Sequence, residues 1–527
     1  MTEEKTHYET VIIGAGPAGL QLAYYLQRAG LEYIVLERGG VAAHRYESFP
    51  HSDTLLAVNQ SHRTEDTYES ILRSDWNSLL SSTDPYLFRS VSKGYHTGRK
   101  EFLHYMSSYA KRFALQIRFN HEVKEVSKGD DCQYTLRVTD SASSKVYTCK
   151  KLVVATGLSK ANRPVCVDNT KLRPKHYSDF PAGYFRDPKH LEAFRNKSVC
   201  MVGNGNAAFE LANLLTPYTR SITIHGAKER GRAASTHYAG DLRGQSLTFH
   251  DTCLVQHRNR LTHNPYTLVI EQPSEQEPYT MSYLCSSTCS VKHPLFSENT
   301  FDHVLFTTGW AFDQTPFQLK IPLTEDTRYP LIKSNYECVA HENLFFIGSL
   351  MHSLDYRRSS GGFLHGYRYL IEYFFHLHYD KKVETDIFKH ADFHSLAEHI
   401  LFKLTYTSAM LNMYGEMGDV FFYDAAKKEF VYFNNVTKWF VNGLAERYPG
   451  AKLCMLVLEY GKEGTGGLPH PVLYQMEANA AKPTVAGKKS LIRQVDEIHF
   501  EPAAFAEYKD KQKYYDKFIR VCKGFFL

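Results

Sequence analysis

The chain has 527 residues, 43% of them hydrophobic and 23% charged, with a formal net charge of +5. That length accommodates two or three globular domains, and so small a charge gives no reason to expect a nucleic-acid surface. No run of about 18 apolar residues occurs, so no membrane-spanning helix is expected.

The polar start Met1–His7 passes directly into the first strand and leaves no room for a signal peptide. Gly524–Leu527 is neither a retention signal nor a prenylation box, and a cytoplasmic protein is expected. Ten cysteines are scattered through the chain without a Cys-x-x-Cys pair. The closest two, Cys285 and Cys289, read as reduced loop thiols, with a redox disulfide as the alternative although the spacing is not that of the usual motif. The 36 Tyr and 33 Phe point to large cores and pockets for planar ligands. No metal-ligand set is read.

In chain order, the apolar run Thr10–Ile13 leads into Gly14-Ala15-Gly16-Pro17-Ala18-Gly19. A helix is expected from Pro17, with Leu20, Leu22, Ala23 and Leu26 turned to a core and Gly30 ending it. Tyr33–Leu36 is the next strand, and Glu37 stands at its tip. Strand, glycine turn and helix form the dinucleotide-binding fingerprint, with pyrophosphate on the helix N-terminus. A carboxylate at Glu37 accepts the hydroxyls of an adenosine ribose and repels a 2′-phosphate, so this unit is expected to hold FAD or NAD.

Phe102, Tyr105, Met106, Tyr109 and Phe113 recur at helical spacing and are expected in the core. Lys151–Val154 reads as a buried strand entering the turn Ala155-Thr156-Gly157. The second unit follows. Val199–Val202 precedes Gly203-Asn204-Gly205-Asn206-Ala207-Ala208, and the helix carries Phe209, Leu211, Ala212 and Leu215. Its second strand is Ser221–Ile224, and His225 is read at the place of Glu37. Lys228, Arg230 and Arg232 follow. A tip without a carboxylate and with clustered cations suits a 2′-phosphate, hence NADPH; the bland reading is a solvated basic loop.

His303–Phe306 repeats the buried strand and runs into Thr307-Thr308-Gly309. Glu342–Ile347 holds the last strand of this region and ends at Gly348. Ser359-Ser360-Gly361-Gly362 opens a helix with Phe363, Tyr367, Leu370, Phe374 and Leu377 on one face. Its glycines either bring backbone N–H groups to an anionic ring oxygen or only relieve crowding. A boundary is read near 380–395. Beyond it lie strand-like runs at Val420–Tyr423, Phe430–Phe433 and Leu453–Leu458, a flexible loop at Glu463–Gly467, and a charged amphipathic helix over 503–522 with a solvated face.

The expected fold is α/β, with two Rossmann-like dinucleotide-binding domains plus a small C-terminal α+β region. Residues 1–165 form the first part of an FAD domain, 166–300 an inserted NADPH domain, 301–390 the return segment, and 391–527 a region of unknown role.

The two glycine motifs, with Ala155-Thr156-Gly157 between them, resemble the two-dinucleotide flavoproteins that include flavin-containing monooxygenases and amino-acid N-hydroxylases. Three longer segments sharpen the resemblance: Asp75–Leu80, Thr236–Arg243 and Asp355–Arg368. Together they are similar to the FAD-dependent oxidoreductase domain proteins known from the endoplasmic reticulum and to bacterial relatives that N-hydroxylate aspartate, over about residues 8–380. Of the monooxygenase motif Phe-x-Gly-x-x-x-His-x-x-x-Phe, His176 and Phe180 match the end, while Thr170 and Leu172 replace Phe and Gly. Ser349 follows Gly348 where disulfide-reductase flavoproteins carry Gly-Asp.

The resemblance implies that NADPH reduces FAD, O2 adds at the flavin C4a, and the hydroperoxide oxygenates a soft nucleophile, the nitrogen of an amino acid or small amine. Asn59 and Asn77 are candidate donors near the flavin, or loop amides capping a turn. Trp76 goes with them. His237 and Arg243 hold NADPH phosphates or an acidic substrate, or form an ordinary polar loop. At least one of Arg357 and Arg358 is expected to face the flavin or a carboxylate, with Arg358 as the candidate; a surface arginine pair is the alternative. His176 is kept as a hinge or cofactor contact. The expected partners are a small-molecule substrate and O2, with no nucleic acid and no membrane span; oligomeric state is left open. Two rival functions stay open: an FAD/NAD(P)H oxidoreductase that never oxygenates, and a flavin-bearing protein whose C-terminal piece binds a partner.

Overall fold

A computed structural model of the chain describes residues 5–51, 53–62, 67–129, 133–140, 143–163, 167–168, 174–228, 238–242, 261–263, 267–272, 274, 276–284, 293–294, 300–380, 385–389, 392–460, 469–478, 492–499 and 511–527. Strand His7–Ile13 lies between Tyr33–Leu36 and Ser144–Val154, parallel to both. Ile117–Arg118 and Leu344–Phe346 extend the parallel part. Parallel strands covered on both faces bury every side chain, and Val11, Ile12, Val35, Leu152, Val153 and Phe346 are all buried. Farther out, Tyr134–Thr139 and Glu122–Lys128 complete the sheet in antiparallel pairing. Helix Pro17–Arg28 starts at the predicted proline, and Gly30, with φ +65°, follows its end.

The second sheet runs Lys175–His176, His303–Phe306, Ser198–Val202, Ser221–Gly226, Leu261–His263, parallel throughout. Helix Asn206–Leu215 follows its glycine turn. The two turns share one backbone design. Gly14 and Gly203 have φ of +104° and +114°. A Cβ on Gly14 would lie 3.0 Å from the Ala155 carbonyl oxygen, and one on Gly203 2.5 Å from that of Thr307. Only glycine accommodates both the left-handed conformation and the approach.

The register corrects one expectation. Gly14 N donates to Leu36 O at 2.8 Å, and Gly203 N donates to His225 O at 2.6 Å. His225 is therefore the counterpart of Leu36, and Gly226 the counterpart of Glu37. The apolar pattern ends at Ile224, but the strand continues through the buried His225 to Gly226.

The C-terminal part is a six-stranded antiparallel sheet: Thr385–Lys389, Glu429–Thr437, Met417–Asp424, Lys452–Glu459, His470–Ala478, Ile492–His499. It is covered on both faces. Val420, Phe422, Leu453, Met455 and Val457 join the main core, which includes Tyr367, Leu370 and Phe374 of helix Leu364–Phe375. The alternate residues Phe421, Cys454, Leu456 and Leu458 pack under helices Phe393–Tyr406 and Lys511–Phe526. Among the described residues the last helix spans Lys511–Phe526, past the expected end at 522, while 503–510 lie outside the described residues. It is not simply solvated, because Phe518, Cys522 and Phe525 are buried against the sheet and its companion helix. Among the described residues no helix is long and apolar enough to cross a membrane.

Candidate active site

A cleft of about 420 Å³ opens at the first glycine turn. Gly14, Gly16, Glu37, Thr156, Gly157 and Gly362 line it. Gly19 stands behind, where a Cβ would come 2.0 Å from the Gly14 oxygen, so the helix sits directly on the turn. Gly348, with φ +73°, also packs closely, and a Cβ there would lie 2.5 Å from Ala18 Cβ. The Glu37 carboxylate is buried, accepting from Ala15 N and Gly39 N at 2.8 Å each. Two backbone bonds fix its direction and leave lone pairs for further donors.

Three buried polar atoms of this lining have no hydrogen-bond partner among the described residues: Thr156 Oγ1, His121 Nε2 and Arg45 Nη2. Orphaned buried groups are costly, and three at one cleft fit a resident ligand rich in polar atoms, as a flavin dinucleotide is. Burial, and then repulsion from Arg38, lowers the Arg45 guanidinium to about 10. It lies 4.0 Å from the Trp310 ring centroid.

A larger cavity, about 620 Å³, adjoins this cleft. Tyr46, Phe49, Phe363 and Leu364 line both. Its other walls come from the rest of the molecule. The second unit supplies Ala207 and Glu210 from its helix, and Ala239. The C-terminal part supplies Leu411, Asn412, Tyr414 and Tyr460. The cavity therefore sits where the two dinucleotide units face each other. His51 Nε2 and Glu210 Oε2, 3.0 Å apart and both largely buried, join the units across it. Trp76 and the buried Asn77 line it as well, and Trp76 stacks on His365 at 5.4 Å.

A second junction holds the units together. The Tyr238 hydroxyl lies 3.2 Å from His352 Nε2, and His352 Nδ1 lies 2.8 Å from Asp355 Oδ1. Ser359 Oγ donates to the same carboxylate. Arg357 Nη2 pairs with Asp241 at 2.8 Å, and its guanidinium lies over the Tyr238 ring. Burial raises the Tyr238 phenol to about 12, so it remains a donor. Gly361 and Gly362 leave room for this chain: a Cβ there would meet Asp355 Oδ2 at 2.3 Å and His352 Cδ2 at 2.6 Å. Two of the segments that carry the family resemblance thus touch each other. The third joins through the fully buried Arg368, whose Nη1 donates to Ser78 O at 2.8 Å.

Other predicted positions lie elsewhere. Asn59 lines neither large space. Its Nδ2 donates to Ser92 O at 2.9 Å, and with Asn77 it borders a small recess of about 10 Å³. Arg358 faces a separate hollow of about 650 Å³ on the C-terminal sheet, beside Glu416 and Lys438. In the second unit Gly203 and Gly205 form the turn, Asn206 and Ala208 open the helix, and Lys228 is exposed with its carbonyl accepting from Asn204 Nδ2 at 2.6 Å. Arg230, Arg232, His237, Arg243, Cys285 and Cys289 lie outside the described residues, as do Thr170 and Leu172. His176 is buried, and burial, then Arg163, lowers it to about 4. Sequence reading missed Tyr46, Phe49, His51, Arg73 and Glu210. None belongs to a motif; only folding gathers them.

Residues 11–348 match the pyridine nucleotide-disulphide oxidoreductase family. FAD-dependent oxidoreductase domain-containing protein 2 of Mus musculus is 31% identical over 388 residues, 70% of this chain and 57% of that protein. The Danio rerio protein of that name is 28% identical, over 69% of this chain and again 57% of the relative. The chain thus aligns with little more than half the length of these curated relatives. Among solved structures, a flavin-containing monooxygenase from Stenotrophomonas maltophilia superposes with a TM-score of 0.51 at 16% identity, over 70% of this chain and 98% of that one. The FAD-bound cadaverine monooxygenase of desferrioxamine biosynthesis from Erwinia amylovora gives 0.50 at 16% identity, over 71% and 94%. These likenesses establish a mixed α/β, Rossmann-like flavoprotein fold. With its match over residues 11–348, the chain belongs to the pyridine nucleotide-disulphide oxidoreductase family.

Proposed function

We propose that the chain is an NADPH- and FAD-dependent monooxygenase that oxygenates a soft nucleophile, the nitrogen of an amino acid or small amine. The observation that carries this reading is the cavity between the units, walled by Ala207, Glu210 and Ala239 on one side and by cleft residues Tyr46, Phe49, Phe363 and Leu364 on the other. A reductant on the second turn, a flavin on the first and a substrate could meet there.

FAD, when bound, supplies the redox and oxygen chemistry. The chain's residues position and enclose it. Gly14, Gly16 and the helix N-terminus hold pyrophosphate, Glu37 takes ribose hydroxyls, and Thr156, His121 and Arg45 supply polar contacts along the cleft. In the second unit Gly203, Gly205, Asn206 and Ala208 form the corresponding seat. Gly226 leaves no carboxylate to repel a 2′-phosphate, which suits NADPH, and Lys228 with Arg230 and Arg232 provides positive charge. Trp76, Trp310, Tyr177 and Phe363 shield the cavity from water, and Asn77 offers an amide within it. We also assign the chain to a reducing, cytoplasmic compartment, supported by five described cysteines that are all free and buried; cell fractionation tests this.

The decisive experiment mixes flavin-loaded protein with NADPH and then 18O2 in the presence of a panel of amino acids and amines. The expected result is flavin bleaching by NADPH, a slow return through an absorbance state distinct from oxidised and reduced flavin, and 18O in one amine product. Immediate reoxidation with stoichiometric peroxide and no labelled product would favour the oxidoreductase that never oxygenates.

A further inference from the structure

The wall of the large cavity contains two arginines, and they differ in how their charge is met. Arg99 is paired with Asp53 at 3.2 Å and donates to Glu47 O and Phe49 O. Arg73 has no carboxylate within 4.0 Å among the described residues. Its Nη1 alone is used, donating to three backbone carbonyls of the C-terminal part: Leu404 O at 3.3 Å, Thr405 O at 2.6 Å and Thr407 O at 3.1 Å. The nearby carboxylate Glu69, one turn back on the same helix, is occupied by Ser408, accepting from its N at 2.9 Å and its Oγ at 2.6 Å. Burial is the main effect on the Arg73 guanidinium and holds it below its usual range.

A partly buried cation whose hydrogen bonds all go to backbone carbonyls, with Glu69 attracting it only from beyond ion-pair distance, is incompletely compensated. Nε and Nη2 form the remaining part of a planar fork that matches a carboxylate, and no described residue occupies them. Elsewhere on the wall the Glu210 carboxylate is met by His51 Nε2 at 3.0 Å. The same wall carries Trp76, Leu411, Tyr414 and Tyr460 beside the neutral amides of Asn77 and Asn412.

We infer that Arg73 is the anion-binding residue of the substrate site, that the substrate carries a carboxylate, and that the C-terminal part belongs to this site because its 404–407 carbonyls aim the guanidinium and Leu411, Asn412, Tyr414 and Tyr460 complete the wall. The inference rests on the cavity being the substrate site of the proposed function. It narrows the substrate class from any soft nucleophile to one with an acidic group held away from the flavin side, as an amino acid is.

The test uses the full chain and matched probe pairs: benzoate and benzamide, phenylacetate and phenylacetamide, L-phenylalanine and its amide. Binding is read twice, by perturbation of the bound flavin spectrum and by tryptophan fluorescence, since Trp76 and Trp310 line the cavity. At least one carboxylate should bind about tenfold or more tightly than its amide, the usual scale for a charge-assisted bond. Arg73→Gln should erase that ratio, and Arg73→Lys should keep part of it. The ratio is internal to each protein, so a variant that binds all probes more weakly through loosened structure still reports. If Arg73→Gln fails to fold, the Arg73→Lys ratio decides. Equal binding of acids and amides by the native chain, no binding of any acid, or an unchanged ratio in the variants overturns the inference. A chain that purifies without flavin instead refutes the cofactor reading, and the fluorescence titration still reports on Arg73.

Discussion

In the first dinucleotide unit the strand after the glycine turn ends at Glu37, whose carboxylate reaches back to Ala15 N and forward to Gly39 N. In the second unit the same position is Gly226, and a Cβ there would lie 2.2 Å from the Asn204 side chain. The residues inside the turns differ correspondingly. Ala15 is small and leaves its N–H open to Glu37, whereas Asn204 spends its amide on Lys228 O. Two copies of one backbone are thus made chemically unequal by two side chains each. One tip carries a carboxylate and the other carries none; under the proposed function that difference separates a ribose diol from a 2′-phosphate.

The largest effect that can break this comparison comes from the turns themselves. Gly19→Ala puts a methyl group 2.0 Å from the Gly14 oxygen, and Gly203→Ala puts one 2.5 Å from Thr307 O at φ +114°. The first variant should purify without flavin absorbance. The second should keep flavin but be reduced by NADPH on the order of 100-fold more slowly, at the upper end of the ~1–3 kcal/mol cost of overpacking. Loss of flavin in both would mean that the units do not act separately.

The second unit also carries an acid-sensitive residue in its sheet. His176 is folded as the neutral form, lowered to about 4 from 6.5. The unfolded chain therefore binds the proton more readily. The stability His176 contributes is fully present above pH 6.5 and is lost as pH falls through 4, about 3 kcal/mol in all. Denaturant midpoints measured between pH 7 and 4 should fall less steeply in His176→Asn; an unchanged slope would place the acid sensitivity elsewhere.

A smaller effect is expected at the first tip. Glu37→Gln should weaken FAD by about 2 kcal/mol, the scale of hydrogen bonds to a charged group, as measured by flavin release in equilibrium dialysis. Smallest is the exchange of the two tips. Asn204→Ala with Gly226→Glu recreates the Ala15 and Glu37 arrangement, and the NADPH-to-NADH ratio of kcat/KM should fall about tenfold, or about 1.4 kcal/mol. A ratio that does not move would place nucleotide choice outside this position.

Much of this architecture was legible in the residues. Both glycine turns, the helix starting at Pro17, the buried strands before Ala155 and Thr307, and three of the C-terminal strands follow from local patterns of period and turn chemistry. The misplacement of His225 came from the same source: apolar pattern stops at Ile224, while hydrogen bonding carries the strand on to Gly226. The final helix was likewise read as solvated because its charges are local, whereas the burial of Phe518, Cys522 and Phe525 depends on a helix about 120 residues earlier.

By itself the sequence determined what is local: a fingerprint is strand, glycine and helix within some 30 residues, and steric rules act at that range. Tertiary structure alone decided the site. Glu210 faces His51, Tyr238 meets His352, and Arg73 receives its carbonyls from residues 404–407, each across more than 100 positions of chain. Such pairings leave no period or spacing in the sequence, because they are set by which faces of separate elements must be buried together.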